Sequence, residues 1–598
     1  MQVITLQFGH FANHVGAHFW NFLDESAALE EDSTKDEDEP DQDFARLYHQ
    51  RESRGAVTWQ PRLVLADKKG ALGAGLTEHA GEEAEARMET TGALWDFSTV
   101  SYGSDRLDRH PFQEDLAWEE EANGGNGTAM DIDRGDYDEE EYADDDDACG
   151  SRGGAAPVPA RQSAMRRAAD YDFRATARSW TDYLKVQVPA KCVRELQGWH
   201  HGVSPFSMYF EGLEVHGKED GEALLDLARH QLELCDRVDA LQGTVDMHDG
   251  FGGVAEVVLR WLHEEQPKCG KLIAAVCPDI PKSESPEAPA AKGDPQTPAA
   301  WASAVEPQGP VVAVLETEAC AWLSAAFSFK GLINLDCLHC WAPLAVPLWS
   351  PQLPAALSGL HRDSAYESSS LIAAALETAT LPYRLHGGPR PGQFIGSLAP
   401  SHRPVCGIRQ ALPLPIFPEG KEETLAGLSE YFFDLSGMLP QPWNSHSSIS
   451  LRGASPRRLL GLTSGLSPLG RSLSFTHPTA LPLPVPFPQV FAPAVSRRGL
   501  LLAPPAVRDA DAEVEACPTA THLHAAAGAG RCMALKRMVE VTKGCQRSAW
   551  AQGVRERFGV EADEFREVLE VVTEHLECSA AEASSDGDNG GSSEGSAF

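Results

Sequence analysis

One unit occurs twice in this chain and leaves it few folds to adopt. A short apolar strand runs into a glycine-bearing turn and then an amphipathic helix. In the first copy, residues 3–8 (VITLQF) alternate with β-branched side chains, Gly9 breaks the run, and 13–23 place Val15, Phe19, Phe22 and Leu23 at helical spacing. In the second, 241–247 form the strand, 248–253 (HDGFGG) the turn, and 254–265 a helix with Val257, Val258, Trp261 and Leu262 inward. Further strands are expected at 62–66 (RLVLA) and 272–277 (LIAAVC), with a helix over 222–235 between them. Strands alternating with helices imply an α/β fold whose sheet is largely parallel, with its loops gathered at the strand C-termini.

Charge decides how much of the 598 residues belongs to that core. The chain carries 50 basic and 88 acidic residues, a net charge of -38, and the acid is clustered. Residues 131–147 hold eleven Asp or Glu against one Arg, and 30–43 hold nine against one Lys. Such segments bury too little apolar surface to offset the entropy of ordering and are expected to be solvated. The chain then divides into 1–75, the first part of the α/β domain with an acidic loop at 25–45, and 76–175, an acidic, mostly disordered insertion. The second part of the domain spans 176–385, a smaller α+β domain 386–578, and an acidic disordered tail 579–598.

The same acidity argues against nucleic acid as a partner, because phosphates need a basic face. The N-terminus lacks the pattern of a signal peptide. The most apolar stretch, 480–495, is interrupted by Pro482, Pro484, Pro486, Pro488 and Pro493, so no transmembrane segment is expected and membrane contact would be peripheral. Thirteen scattered cysteines read as reduced thiols in a cytosolic protein. Cys337 and Cys340 have metal-ligand spacing but no second pair nearby, so buried thiols are expected. His200, His201 and His248 are metal candidates of the same weak kind.

Glycine turns between a strand and a helix N-terminus suit a phosphate, because backbone N–H groups and the positive helix end converge there. Here their sequence context is specific. The opening ITLQFGHFANHVGAHFWNFLDE resembles the tubulin N-terminus with its first nucleotide loop, PRLVLADKKGAL resembles the second loop, and LQGTVDMHDGFGGVAEVVLRWL resembles the glycine-rich fourth loop. With LIAAALETATLPYRL, these segments resemble the Misato/DML1 family of tubulin-like proteins over roughly 1–70 and 180–410. The resemblance implies a tubulin/FtsZ-like Rossmann-type domain. On it the old nucleotide pocket falls on Gly9, His10, Asn13, Asp67, Asp249, Gly252 and Gly253.

The departures bear on mechanism. Val254, Ala255, Glu256 and Val257 replace the small residues of the fourth loop, and Glu256 is expected to set a carboxylate beside the phosphates. Lys69 replaces an acid of the second loop that would be linked to Mg²⁺. After the long helix pattern at 368–385 comes HGGPRPG, without the acidic motif for hydrolysis, while 331–336 (GLINLD) imitates only half of it. No catalytic residue, metal or cofactor is therefore assigned, although GTP binding without turnover stays open. The resemblance implies a non-enzymatic protein of mitochondrial distribution, morphology and inheritance, in the cytoplasm and at the outer mitochondrial membrane. It would act through protein partners on that surface or the cytoskeleton. The alternative is a GTP-binding, polymerising cytoskeletal GTPase or a chromosome-segregation factor.

Overall fold

The computed structural model describes residues 1–32, 42–53, 56–73, 108–122, 168–280, 310–335, 338–350, 353–398, 404–415, 431–438, 446–453, 472–502, 506–509, 512–525, 532–546 and 548–585. The acidic runs at 33–41 and 131–147, residues 336–337 and the tail 586–598 lie outside the described residues.

Six parallel strands form the first sheet: β1 (Gln2–Phe8), β2 (Leu63–Lys69), β3 (Val193–His200), β4 (Val238–Asp246), β5 (Gly270–Cys277) and β6 (Cys340–Ala345). Their spatial order is β3-β2-β1-β4-β5-β6. β1 and β5 are buried along nearly their whole length, as a sheet covered on both faces requires. Register has a direct consequence for function. Phe8 pairs with Ala66 on one side and with Val245 on the other, so the next residues, Gly9, Asp67 and Asp246, leave the sheet side by side. The turn that sequence places at 9, the strand end at 67 and the residue before the 248–253 turn thus become one place.

On one face lie α1 (His10–Asp32) and, later in the chain, the buried helix Ala365–Thr380; on the other lie Phe251–Glu265 and Pro310–Ile333. In chain order we number these α1, α2 (Phe251–Glu265), α3 (Pro310–Ile333) and α4 (Ala365–Thr380). From Tyr366 to Thr380 every residue of α4 is buried, because it packs on α1 with one side and on a second sheet with the other. That sheet has five strands, β7 (Cys406–Ala411), β8 (Phe433–Asp434), β9 (Ser447–Arg452), β10 (Ser472–His477) and β11 (Thr519–Ala525), ordered β8-β7-β11-β9-β10. Its pairs are antiparallel except β9 with β10.

The stretch after 386 divides between the two faces. Its strands cover α4, whereas α5 (Met533–Cys545) and α6 (Ala562–Ser585) return to pack on α3. Phe565 of α6 meets Phe327 of α3 edge to face at 5.2 Å. Within 76–175, the described residues 111–122 and 168–176 are largely helical, and Phe112, Tyr171 and Phe173 are buried against one another. Trp118 of the same stretch is 46% exposed. Among the described residues, no helix is long and apolar enough to cross a membrane.

Candidate functional site

At the strand ends, the N-terminus of α1 points its free N–H groups toward β4. The carboxylate of Asp246 accepts from Phe11 N at 3.0 Å and from Ala12 N at 2.8 Å. These are donors that a helix N-terminus would offer to an anionic ligand, and a side chain of the chain itself takes them. Gly9 permits the approach. Its φ is +111°, and a Cβ there would lie 2.3 Å from Asp246 Oδ2. Three residues further, Asp249 Oδ1 accepts from Phe251 N, the first residue of α2, at 2.9 Å.

The two carboxyls are close enough to oppose each other's ionisation. Burial first, and the Asp249 charge second, push Asp246 well above the usual carboxylate range. Burial raises Asp249 to about 7, against the pull of Lys68. Burial and Lys68 depress His248 to about 4. Asp246, His248 and Asp249 bring possible ligand atoms within 4.8 Å of one another, but both carboxyls already accept backbone N–H groups at the start of a helix.

Asp67 behaves in the opposite way. It is fully buried, which alone would raise it, yet His10, Asn13 and the Lys68 N–H hold it below its ordinary value. Asp67 accepts from Asn13 Nδ2 at 2.9 Å, from Trp180 Nε1 at 3.1 Å and from Lys68 N at 2.8 Å, and lies 3.2 Å from His10 Nδ1. Of the seven residues expected to line the pocket, Gly9, His10, Asn13, Asp67 and Asp249 therefore meet around these strand ends. Gly252 and Gly253 serve packing instead. A Cβ on Gly252 would lie 2.5 Å from Ser328 Oγ of α3, and one on Gly253 would lie 2.2 Å from the Tyr209 carbonyl oxygen.

One expectation is corrected. Glu256 does not set its charge beside the turn: its carboxylate accepts from the Tyr209 hydroxyl and from Arg260, and faces Gly331 of α3. Position 256 is one helical turn along α2, where the side chain projects toward the neighbouring helix. The acid that does occupy the turn is Asp246, hidden in the sequence as the last residue of a strand. Cys340 is buried in β6, its thiol pushed up by the neighbouring Cys406 thiol and by burial, while Cys337 lies outside the described residues.

Sequence reading also missed a row of histidines. His10, His14 and His18 lie on one side of α1, and Tyr183 reaches His14 Nδ1 at 2.5 Å. The spacing of four residues was visible in the sequence; that Asp67 and Tyr183 would flank it was not.

Residues 1–118 match the family model described as the Misato Segment II tubulin-like domain. The chain is 24% identical over 564 residues to "Protein misato homolog 1" of Danio rerio, covering 84% of each protein. It is 27% identical to the Homo sapiens protein of the same name, over 65% of this chain and 60% of that one. With "Protein misato" of Drosophila melanogaster the identity is 25%, over 86% of this chain and 88% of the relative.

Proposed function

Taking the chain as a tubulin-like protein of the Misato/DML1 type, we propose that it is a non-enzymatic interaction protein whose ancestral nucleotide site is closed by its own carboxylates. The observation that carries this reading is Asp246 on the Phe11 and Ala12 N–H groups. A phosphate would have to displace that carboxyl, then sit near Asp67, held in its charged form, where like charges repel by a few kcal/mol at intermediate dielectric (~4 kcal/mol at 4 Å). The same resemblance supports a role in mitochondrial distribution, morphology and inheritance through protein partners on the cytosolic side of the organelle.

The test is the nucleotide content and Mg·GTP affinity of the purified chain. No retained nucleotide and no saturable binding are expected, with sedimentation unchanged by GTP. The double substitution Asp246→Ala, Asp249→Asn frees the helix N–H groups and is expected to gain affinity for inorganic phosphate or GTP. Tight GTP binding with turnover by the natural chain would overturn the proposal in favour of a polymerising GTPase.

A further inference from the structure

Beside the closed anion site, α1 carries a pair of imidazoles arranged as metal ligands are. His10 and His14 are four residues apart on a helix, so their rings project from one face. Their Nε2 atoms lie 3.3 Å from each other. That is long for a hydrogen bond and equals the edge of a tetrahedron of nitrogens around an ion bound at 2.0–2.1 Å, about 3.3–3.4 Å. Both rings are fixed from behind through Nδ1. His10 Nδ1 is 3.2 Å from Asp67, and His14 Nδ1 is 2.5 Å from the Tyr183 hydroxyl. Anchoring the far nitrogen on a carboxylate or another oxygen is how proteins orient and sharpen a histidine ligand. A third ring is adjacent: His201 lies 4.3 Å from His10, centroid to centroid, and its buried Nδ1 has no hydrogen-bond partner.

We propose that His10 and His14 hold a divalent transition-metal ion of the zinc class through their Nε2 atoms, with His201 turning in as the third ligand. Imidazole donors suit such ions and not the hard Mg²⁺. The site does not depend on whether nucleotide is excluded nearby. The proton balance closes within the chain. The hydrogen between the two Nε2 atoms moves to His14 Nδ1, which then donates to Tyr183, and the Tyr183 hydroxyl turns to Ser369, with which it already interacts.

The experiment uses the untagged full chain, stripped with a chelator and titrated with Co²⁺. One equivalent is expected to bind with the visible absorption of a tetrahedral site, to be displaced by Zn²⁺, and to resist excess Mg²⁺. His10→Gln and His201→Gln, at partly exposed positions, should each weaken Co²⁺ binding more than about tenfold with an unchanged far-ultraviolet dichroism spectrum. His18→Gln, one turn further along α1, should bind as the natural chain does. Absence of a saturable cobalt spectrum, displacement by Mg²⁺, or full affinity in His10→Gln or His201→Gln would overturn the assignment.

Discussion

Asp67 at the end of the first sheet and Glu377 in α4 are both fully buried carboxyls held below their ordinary range, and they are balanced by different means. Around Asp67 stand an amide, an indole, a backbone N–H and a histidine. Burial would raise Glu377, but Arg452 and Arg384 outweigh it. Arg384 Nη2 donates to Glu377 Oε1 at 2.6 Å and Arg452 Nη1 at 2.5 Å, with both guanidinium groups almost fully buried. Arg452 ends β9, so this triad ties the central helix to the second sheet. Full-charge balance in a sealed place makes a strut. Balance by neutral donors and a partly exposed histidine leaves a place whose hydrogen bonds can be reassigned, which is what a site needs.

The sharpest way to break that contrast is to remove each carboxylate. Glu377→Gln removes the carboxylate that two buried guanidiniums share and is expected to cost about 3–5 kcal/mol in urea unfolding. Asp67→Asn loses hydrogen bonds from uncharged donors and should cost less, about 1–3 kcal/mol. Equal losses would mean that the two networks play one role.

Acid should weaken the second sheet at a higher pH than the triad. Burial depresses His524 from 6.5 to about 4 and pushes His522 well below its ordinary value. A histidine held neutral in the fold contributes stability above pH 6.5 and loses it as pH falls toward 4. His524 alone should cost on the order of 2–3 kcal/mol by pH 4, whereas Glu377, whose pKa is lowered from 4.5, begins to lose its contribution only as pH falls below about 4.5. Because the raised carboxyls Asp246 and Asp249 act in the opposite sense in both chains, the test is the difference in denaturant midpoint between the natural chain and His524→Gln, which should shift as pH falls from 7 to 4. A difference that stays constant down to pH 4.5 would contradict this.

Asp246→Asn sharpens the account of the closed turn. The fold already disfavours the charged form of Asp246, so an amide relieves that penalty while giving up one of two accepted N–H bonds. The net change should stay within about 1 kcal/mol. A loss as large as that of Glu377→Gln would show the cap to be a strut as well. The smallest effect is expected at Lys330→Ala. It removes a 2.7 Å pair with the half-exposed Glu567 between α3 and α6 and should cost less than about 1 kcal/mol in the same assay.

Several parts of this molecule could be read from the chain. The alternation and apolarity of 3–8, 241–247 and 272–277 specify buried parallel strands, because only a sheet covered on both faces takes such runs. Gly9 marked a turn, and Asp67 and Asp249 marked acids at strand ends. The resemblance to tubulin loops supplied which of these ends should converge. What local sequence could not give was direction. Glu256 and Asp246 are both acids near one glycine-rich turn. The helix phase sends the first toward Tyr209, and the register of β1 with β4 sends the second onto the α1 N-terminus.

By itself, the sequence determined the fold class and the strand-and-turn units, because these follow from periodicity and steric limits along the chain. The tertiary structure alone decided which charges face one another. Asp246 reaches 234 residues back to Ala12, Arg452 reaches 75 back to Glu377, and His201 comes to His10 from the far end of β3. Electrostatic and coordination chemistry depend on distances of a few ångströms, and those are set by how sheet and helices close over one another.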